Sequence, residues 1–388
     1  MTIDFSIGWR VVGCKEAFVN QSLQRRVGFL RNKLVEKSLD ACMVLIEENR
    51  RYLSGFSGED GQFDESAGAL FITHAHLLLA TDSRYELQAG MEAEGWDIFC
   101  YKDGAVKAFP EITGMLKIQR MGFESKRVSF KQYMEMKKEL EKSPPGVELV
   151  PTENMVEDLR VVKQESEIDA TRQALAIAES AYVETVGSIR PGMSEKEVAW
   201  ILERNMREAG AEGLSFPTIV ASGPNSALPH AVPTNRVIKE GEPILFDWGA
   251  RLEGYCSDTS RTLVLGAPRD PFQHVFKTVA KAQQLAIAGI QSGASTKQVD
   301  SLARKHIEDQ GFKGRFGHAL GHGTGLAVHE PPRLSPLNDT RLAEGMLVTV
   351  EPGIYLPDWG GVRIENQVVV RKEGAEVLNN LDVEAFDH

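Results

Sequence analysis

The segment at positions 244–261 limits what this chain can fold into more than any other part of the sequence, because it carries two aspartates around one predicted turn. If Leu252 and Glu253 form the centre of a β-hairpin turn, Asp247 faces Asp258 across the strands with Cβ atoms roughly 5 Å apart. Like charges in this arrangement need a cation, a shared proton or water between them, and a divalent metal ion is the strongest candidate. The alternative is a longer loop that breaks this register and leaves one aspartate at the surface.

A glycine-rich segment at positions 317–332 holds three of the nine histidines of the chain, His318, His322 and His329. Glycine allows close backbone approach and unusual dihedral angles, so the segment suits a loop around a ligand better than a packed element. Histidine is the commonest metal ligand and also titrates near neutrality. The segment therefore predicts a metal ligand and a proton-transfer group, with a purely structural cluster as the alternative.

Two glutamates complete the candidate site. Glu351 follows an apolar run, and Glu365 lies inside the apolar run at positions 361–370, which predicts a single strand. A carboxylate on a buried strand face must be paired, hydrogen-bonded or bound to metal. Arg363 lies two residues earlier and is predicted on the same face, where it would pair with Glu365 or bind a carbonyl or carboxylate of a ligand. An arginine–glutamate ladder at the surface is the alternative.

The candidate site has the composition of a dinuclear metal centre. Four carboxylates and one imidazole carry a charge of about −4, which two divalent cations would neutralise. An oxygen-rich set of ligands favours Mn²⁺ or Co²⁺, with Zn²⁺ also possible, over copper or iron–sulfur chemistry.

The 388 residues fit two domains, which we predict at 1–155 and 156–388. The first has an α/β pattern, in which a helix precedes short buried strands and a break at 143–146 precedes a final edge strand. The predicted elements are a helix at 23–38 and strands at 41–46, 69–73, 77–80 and 147–150.

The second domain has an α+β pattern, because helices and hairpins alternate without regular βαβ spacing. Capping boxes at Ser166 and Ser194 predict two helix starts, and amphipathic spacing predicts helices at 271–290 and 296–309.

Charge and composition exclude several classes of partner. A net charge of −11 without a lysine or arginine cluster argues against nucleic acid and anionic membranes. No stretch approaches the roughly 18 apolar residues that span a bilayer. The four cysteines, Cys14, Cys42, Cys100 and Cys256, occur singly, and the first twenty residues have no secretory pattern. These features predict a cytoplasmic protein.

These motifs together resemble the pita-bread metallopeptidase family, which includes prolidases, proline-specific aminopeptidases, methionine aminopeptidases and creatinase. The resemblance implies a C-terminal pita-bread fold. It assigns five metal ligands, which are Asp247, Asp258, His322, Glu351 and Glu365. It further implies catalytic roles for His230, His329 and Glu351 and substrate contacts for His318 and Arg363. Asn366 departs from the family pattern, where many members carry aspartate, and this puts the metal preference in doubt.

Two N-terminal segments, at 52–58 and 81–89, resemble the creatinase-like domain that precedes the catalytic domain in proline-specific members. The resemblance therefore implies an Xaa-Pro aminopeptidase that uses two metal ions, takes peptides with proline at the second position and forms a homodimer. The alternative is an Xaa-Pro dipeptidase, or prolidase. A creatinase-like amidinohydrolase and a non-catalytic peptide-binding module are more remote.

Overall fold

The computed structural model describes residues 21–62, 65–142 and 146–383, and of Gln21 only the backbone. Cys14 and most of the predicted break at 143–146 lie outside these ranges. The chain divides into two compact units, Met1–Leu159 and Arg160–His388.

The first unit contains a mixed six-stranded sheet with the order β4-β3-β2-β1-β5-β6. Its strands are β1 (Ala41–Val44), β2 (Ala69–Thr73), β3 (Leu77–Thr81), β4 (Asp97–Cys100), β5 (Arg120–Glu124) and β6 (Glu148–Thr152). The helices up to the junction are α1 (Gln21–Glu36), α2 (Glu47–Ser54), α3 (Glu86–Glu92), α4 (Ala105–Met115), α5 (Phe130–Leu140) and α6 (Glu157–Arg160). The pairs β3–β4, β1–β5 and β5–β6 are parallel.

The α/β pattern of this unit follows from its apolar spacing. In α1, Val27, Leu30 and Leu34 are buried along one stripe, as the period of a helix requires. All four residues of β1 are buried because β1 lies between β2 and β5. The strand β6 is an edge strand, where Pro151 is tolerated although it has no N–H to donate.

The second unit combines long helices with small antiparallel sheets, as an α+β fold does. Its helices are α7 (Glu165–Ser188), α8 (Glu195–Glu208), α9 (Phe272–Ala288) and α10 (Thr296–Ile307), with a 3₁₀ turn at Gly223–Ala227 and a π turn at Glu308–Phe312. Its strands are β7 (Gly213–Leu214), β8 (Ile219–Ser222), β9 (Pro243–Trp248), β10 (Ala250–Leu252), β11 (Tyr255–Cys256), β12 (Thr259–Val264), β13 (Gly321–Gly323), β14 (Glu330–Leu334), β15 (Leu347–Val350), β16 (Gly353–Leu356), β17 (Gly360–Arg363), β18 (Asn366–Val370) and β19 (Ala375–Val377).

Four sheets form from these strands, in the orders β11-β10-β7, β12-β9-β8, β14-β13-β15-β18-β19 and β16-β17. The start of α8 agrees with the sequence, because Ser194 forms a capping box with Glu197. The predicted box at Ser166 is wrong, since α7 begins at Glu165 and the backbone N–H of Gln164 donates to Glu167 over 2.9 Å.

The packing of β9 decides which of its side chains are available for chemistry. Trp248 stacks on Tyr182 with ring centroids 4.4 Å apart and donates its indole N–H to the carbonyl of Ala178 over 2.9 Å. Because successive strand residues point to opposite faces, Asp247 projects away from this helix-packed core.

The hairpin after β9 has a different register from the predicted one. Glu253 and Gly254 are its central turn residues, with φ of 50° and 80°, as a turn with two left-handed positions requires. Asp247 therefore pairs with Ser260 and not with Asp258, and the predicted direct opposition is wrong. Asp258 precedes Ser260 by two residues, which keeps the two aspartates on one side, and it is only 5% exposed.

Among the residues that the structure describes, no helix is long and apolar enough to cross a membrane.

Candidate metal centre

The five predicted ligands line a single cavity of about 370 Å³ in the second unit. Asp247 lies on β9 and His322 on β13, whereas the other three follow strand ends: Asp258 after β11, Glu351 after β15 and Glu365 between β17 and β18. The predicted single strand at 361–370 is wrong, because β17 and β18 belong to different sheets. Three regions of the sequence, at 247–258, at 322 and at 351–365, thus supply one site.

The imidazole of His322 lies between the carboxylates. Its Nε2 atom is 3.4 Å from Glu351 Oε1 and 3.7 Å from Asp258 Oδ2. Asp258, His322 and Glu365 each offer one ligand atom within 4.8 Å of the other two. Such a buried group of oxygen and nitrogen donors has the composition and spacing of a metal site.

Hydrogen bonds fix the imidazole in the orientation that a metal ligand needs. His322 Nδ1 is 3.0 Å from the carbonyl oxygen of Gly323, which can only accept, so Nδ1 carries the proton and Nε2 presents its lone pair to the carboxylates. Thr349 Oγ1 accepts from the backbone N–H of His322 over 3.0 Å and donates to Glu351 Oε1 over 3.2 Å. Sequence reasoning missed Thr349.

Arg363 pairs with Asp247 and not with Glu365. Its Nη2 atom donates to Asp247 Oδ2 over 2.7 Å, and its Nε atom donates to Ser260 Oγ over 2.8 Å. Ser260 Oγ in turn donates to Glu365 Oε2 over 2.8 Å. Asp247 Oδ1 is buried and accepts no hydrogen bond from a residue that the structure describes. A buried carboxylate oxygen without a partner fits a role as a metal ligand.

Burial and mutual repulsion raise the pKa values of the carboxyl groups. Burial is the main cause for Glu351, with a pKa of about 8. Burial and the charge of Glu351 hold the pKa of Glu365 well above its usual range, and burial with the charge of Glu365 does so for Asp258. The two arginines that line the cavity, Arg363 and Arg333, cannot balance four carboxylates, so the donor set fits divalent cations.

His318 lines the cavity, but both of its ring nitrogens are engaged. Nδ1 lies 2.8 Å from the carbonyl oxygen of Ala319, so it donates, and Nε2 accepts from the hydroxyl of Tyr355 over 2.9 Å. Tyr355 accepts from Arg363 Nη1 over 2.9 Å. Burial lowers the pKa of His318 to about 4, which keeps it neutral. Tyr355, which sequence reasoning missed, therefore links His318 to Arg363.

The other two histidines predicted for the site, His230 and His329, are exposed and also line the cavity. The ring of His329 lies edge-on to that of His322 with centroids 4.3 Å apart, and burial of part of the ring lowers its pKa. His230 lies in the loop that follows the 3₁₀ turn at Gly223–Ala227. The structure thus brings all the predicted site residues to one cavity.

An α+β unit with buried acidic and histidine donors around one cavity, preceded in the sequence by an α/β unit, is typical of a class of metal-dependent peptidases. The chain belongs to metallopeptidase family M24, whose model matches residues 169–372, and its residues 26–162 match the creatinase/prolidase N-terminal domain. Membership implies divalent metal ions and a peptide substrate. The predicted family and fold class are confirmed.

Several relatives cover nearly the whole chain. An Xaa-Pro dipeptidase of Pyrococcus horikoshii is 34% identical over 367 residues, which are 94% of this chain and 99% of the relative. The structure of an Xaa-Pro dipeptidase from Bacillus anthracis is 37% identical with a TM-score of 0.88, covering 94% of this chain and 100% of its own. An X-Pro aminopeptidase from Thermotoga maritima is 38% identical with a TM-score of 0.82, covering 90% and 98%.

Proposed function

We propose that this chain hydrolyses the bond between an amino-terminal residue and a following proline, with two divalent metal ions held by Asp247, Asp258, His322, Glu351 and Glu365. The observation that carries the proposal is the convergence of these five side chains on one cavity. Mn²⁺ or Co²⁺ suits the oxygen-rich donors best, and Zn²⁺ is the third candidate. When bound, the metal ions would supply Lewis acidity and activate water.

The protein groups around the metal positions would bind the peptide and move protons. The exposed His329 lies against the ring of His322, where it would donate a hydrogen bond to the substrate carbonyl oxygen. Glu351, held by Thr349, would pass a proton to the leaving proline nitrogen. His230 would contact the substrate from the opposite loop. His318 would act mainly through the Tyr355–Arg363 link, since neither of its nitrogens is free.

The lining of the cavity supports a proline-containing substrate. Besides the polar donors, Phe216, Pro217, Ile219 and Val328 contribute apolar surface. A proline ring is apolar and has no N–H in a peptide bond, so an apolar wall accommodates it without leaving a donor unsatisfied.

Arg333 favours a dipeptide over a longer peptide. Arg333 lies opposite His322 in the register of β13 and β14, and its exposed side chain lines the cavity. Its charge contributes to lowering the pKa of His322 and His329. Its charge also contributes to lowering the pKa of Glu351, but within the described parts of the chain no carboxylate forms a hydrogen bond or a close ion pair with it. An exposed arginine beside the reacting groups, without such a bond to a carboxylate of the described residues, suits the carboxylate of an Xaa-Pro dipeptide. We therefore rank Xaa-Pro dipeptidase first.

Xaa-Pro aminopeptidase is the second candidate. The segments at 52–58 and 81–89 support it, because they resemble the N-terminal domain of proline-specific members. The similarity to the Thermotoga maritima X-Pro aminopeptidase supports it as well.

The test is metal analysis together with hydrolysis of one Xaa-Pro dipeptide and one Xaa-Pro-Yaa tripeptide, before and after chelation and re-addition of Mn²⁺ or Co²⁺. About two metals per chain with chelator-sensitive cleavage supports the proposal. The variant Arg333→Met should raise KM for the dipeptide and leave that for a tripeptide amide unchanged. Tripeptide cleavage that equals or exceeds dipeptide cleavage would establish the aminopeptidase instead.

Two further outcomes would favour the remote alternatives. Activity that a chelator does not change would support a creatinase-like, metal-free amidinohydrolase. A metal-loaded protein that binds proline peptides without cleaving them would be a peptide-binding module.

The homodimer and the cytoplasmic location stay predictions. Light scattering on the purified protein would test the first, and fractionation of the source cells the second.

A further inference from the structure

A buried glutamate outside the metal centre holds the loop that carries His230. Glu195 is the first residue of α8, and its side chain is fully buried. The loop in question, the 222–234 loop, leaves β8 at Ser222 and ends at Thr234. None of the proposed catalytic steps uses Glu195.

The carboxylate of Glu195 binds both ends of the 222–234 loop. Oε1 accepts from the backbone N–H of Ser222 over 2.7 Å and from its hydroxyl over 2.9 Å. Oε2 accepts from the backbone N–H of Thr234 over 3.0 Å and from its hydroxyl over 2.6 Å. The side-chain amide of Asn225 reaches both oxygens, over 3.2 and 3.1 Å. Each carboxylate oxygen therefore faces one end of the loop.

Backbone N–H groups at the start of α8 strengthen this attachment at the Thr234 end of the loop. The N–H of Lys196 donates to the carbonyl of Thr234 over 3.1 Å, and that of Glu195 donates to Arg236 over 3.1 Å. The middle of the loop reaches the cavity, where Pro229 and His230 form part of the wall. The carbonyl of Pro229 accepts from Arg363 Nη1 over 3.2 Å, so the loop also touches the group that holds Asp247.

We propose that Glu195 is a positioning residue, which fixes His230 and its wall of the substrate cavity by tying both ends of the 222–234 loop to α8. The inference rests on the proposed function for the role of His230 in catalysis. The attachment of the loop to Glu195, by contrast, can be measured without any assay of activity. A side chain displaced by about 1 Å can lower activity by roughly 100-fold, so a loose loop has a large effect.

The variant Glu195→Gln tests the proposal sharply. Both oxygens face a backbone N–H, and an amide has only one oxygen, so wherever its NH₂ group points one end of the loop loses its acceptor. We expect faster backbone hydrogen exchange in 223–233 and a KM for Xaa-Pro substrates raised by roughly tenfold or more. A defect in folding alone would lower the active fraction and leave KM unchanged.

The matched control is Glu197→Gln on the same helix. Within the described residues, the exposed carboxylate of Glu197 forms hydrogen bonds only with Ser194. Its loop exchange and KM should equal those of the wild type. If Glu195→Gln does not fold, Thr234→Val keeps the Glu195 carboxylate and removes the 2.6 Å hydroxyl contact to it, together with the bonds that this hydroxyl accepts from Asn225 and from the backbone N–H of Arg236. It should show the same two changes, reduced in size.

Unchanged exchange in 223–233, or faster exchange with unchanged KM, would overturn the positioning role. If the wild type has no peptidase activity, the proposed function fails. The difference in exchange between Glu195→Gln and Glu197→Gln then still decides whether Glu195 holds the loop.

Discussion

Removing the charge of Glu330 should destabilise the protein at neutral pH by several kcal/mol. Glu330 directly follows His329, and its carboxylate forms ion pairs with Arg160 and, over 2.9 Å, with Lys163. The side chains are 4%, 5% and 2% exposed respectively. Oε1 of Glu330 also accepts from the backbone N–H of Ala327 over 3.0 Å. The variant Glu330→Gln keeps the shape but takes away the negative charge that both cations contact.

The magnitude follows from the pKa of the carboxyl group. Burial raises this pKa, but Lys163 and Arg160 outweigh burial and lower it from 4.5 to about 2. At about 1.4 kcal/mol per pKa unit, the ionised form contributes roughly 3 kcal/mol to the free energy of unfolding. Breaking a buried ion pair by removing one partner typically costs about 3–5 kcal/mol, which agrees.

The sign of the pKa shift also fixes how the stabilisation by Glu330 changes with pH. Because the folded pKa lies below the unfolded one, the stabilisation is fully present above pH 4.5 and disappears as the pH falls towards 2. Urea unfolding should therefore show a constant difference between wild type and Glu330→Gln from about pH 8 to about pH 6, and a shrinking difference below 4.5.

The matched control is Glu165→Gln. Glu165 also pairs with an arginine, Arg371, over 2.5 Å, but its side chain is 67% exposed. The variant Glu165→Gln should therefore lower the free energy of unfolding by less than about 1 kcal/mol. A loss below about 1 kcal/mol for Glu330→Gln, or equal losses for the two variants, would refute the argument that burial makes this ion pair strong.

Three further predictions concern the metal centre. Thr349→Val removes the hydroxyl that bridges His322 and Glu351, and should weaken metal affinity roughly 10- to 100-fold in competition with a chelator. Glu365→Gln should abolish peptide cleavage and lower the metal content with little change in urea midpoint; near-full turnover would contradict the ligand assignment. Divalent metal at about 100 times its Kd should stabilise the fold by about 2.7 kcal/mol, seen as a higher Tm that a chelator reverses.

Local sequence patterns predicted the elements well but not the register between them. The period of α1 and the buried runs of β1, β2 and β3 are visible in short windows. The hairpin register depended on whether Gly254 occupies a central turn position, and apolar spacing does not determine that. The run at 361–370 misled for a related reason, because β17 and β18 are both buried and nearly continuous in the sequence although they join different sheets.

The types of site residue were predictable, whereas their supporting contacts were not. Clustered histidines and isolated acidic residues stand out against apolar runs, which is why His322 and Glu365 could be singled out. Thr349, Tyr355 and Glu195 are common residue types without an unusual neighbourhood in the sequence. Their roles rest on hydrogen bonds to residues that only the fold brings near, such as the 2.9 Å contact between Tyr355 and His318.

Strand ends explain why the carboxylates can be held together before a metal binds. Just beyond a strand, a backbone N–H is free to bond outside its own ladder. That of Asp258 donates to Gln367 Oε1 over 3.1 Å, that of Glu351 to the carbonyl of Leu320 over 2.8 Å, and that of Glu365 to the carbonyl of Ser260 over 3.0 Å.

Each of these three ligands is thus fixed by a different partner, and none depends on another ligand for its backbone position. Replacing one carboxylate should therefore leave the others in place, so that the loss falls on metal binding and catalysis while the fold persists. It also relieves like-charge repulsion among buried groups, which offsets part of the cost of the substitution. For this reason Glu365→Gln should abolish activity with little loss of stability. Glu330→Gln leaves two buried cations facing a neutral amide, so this variant should lower the stability of the fold.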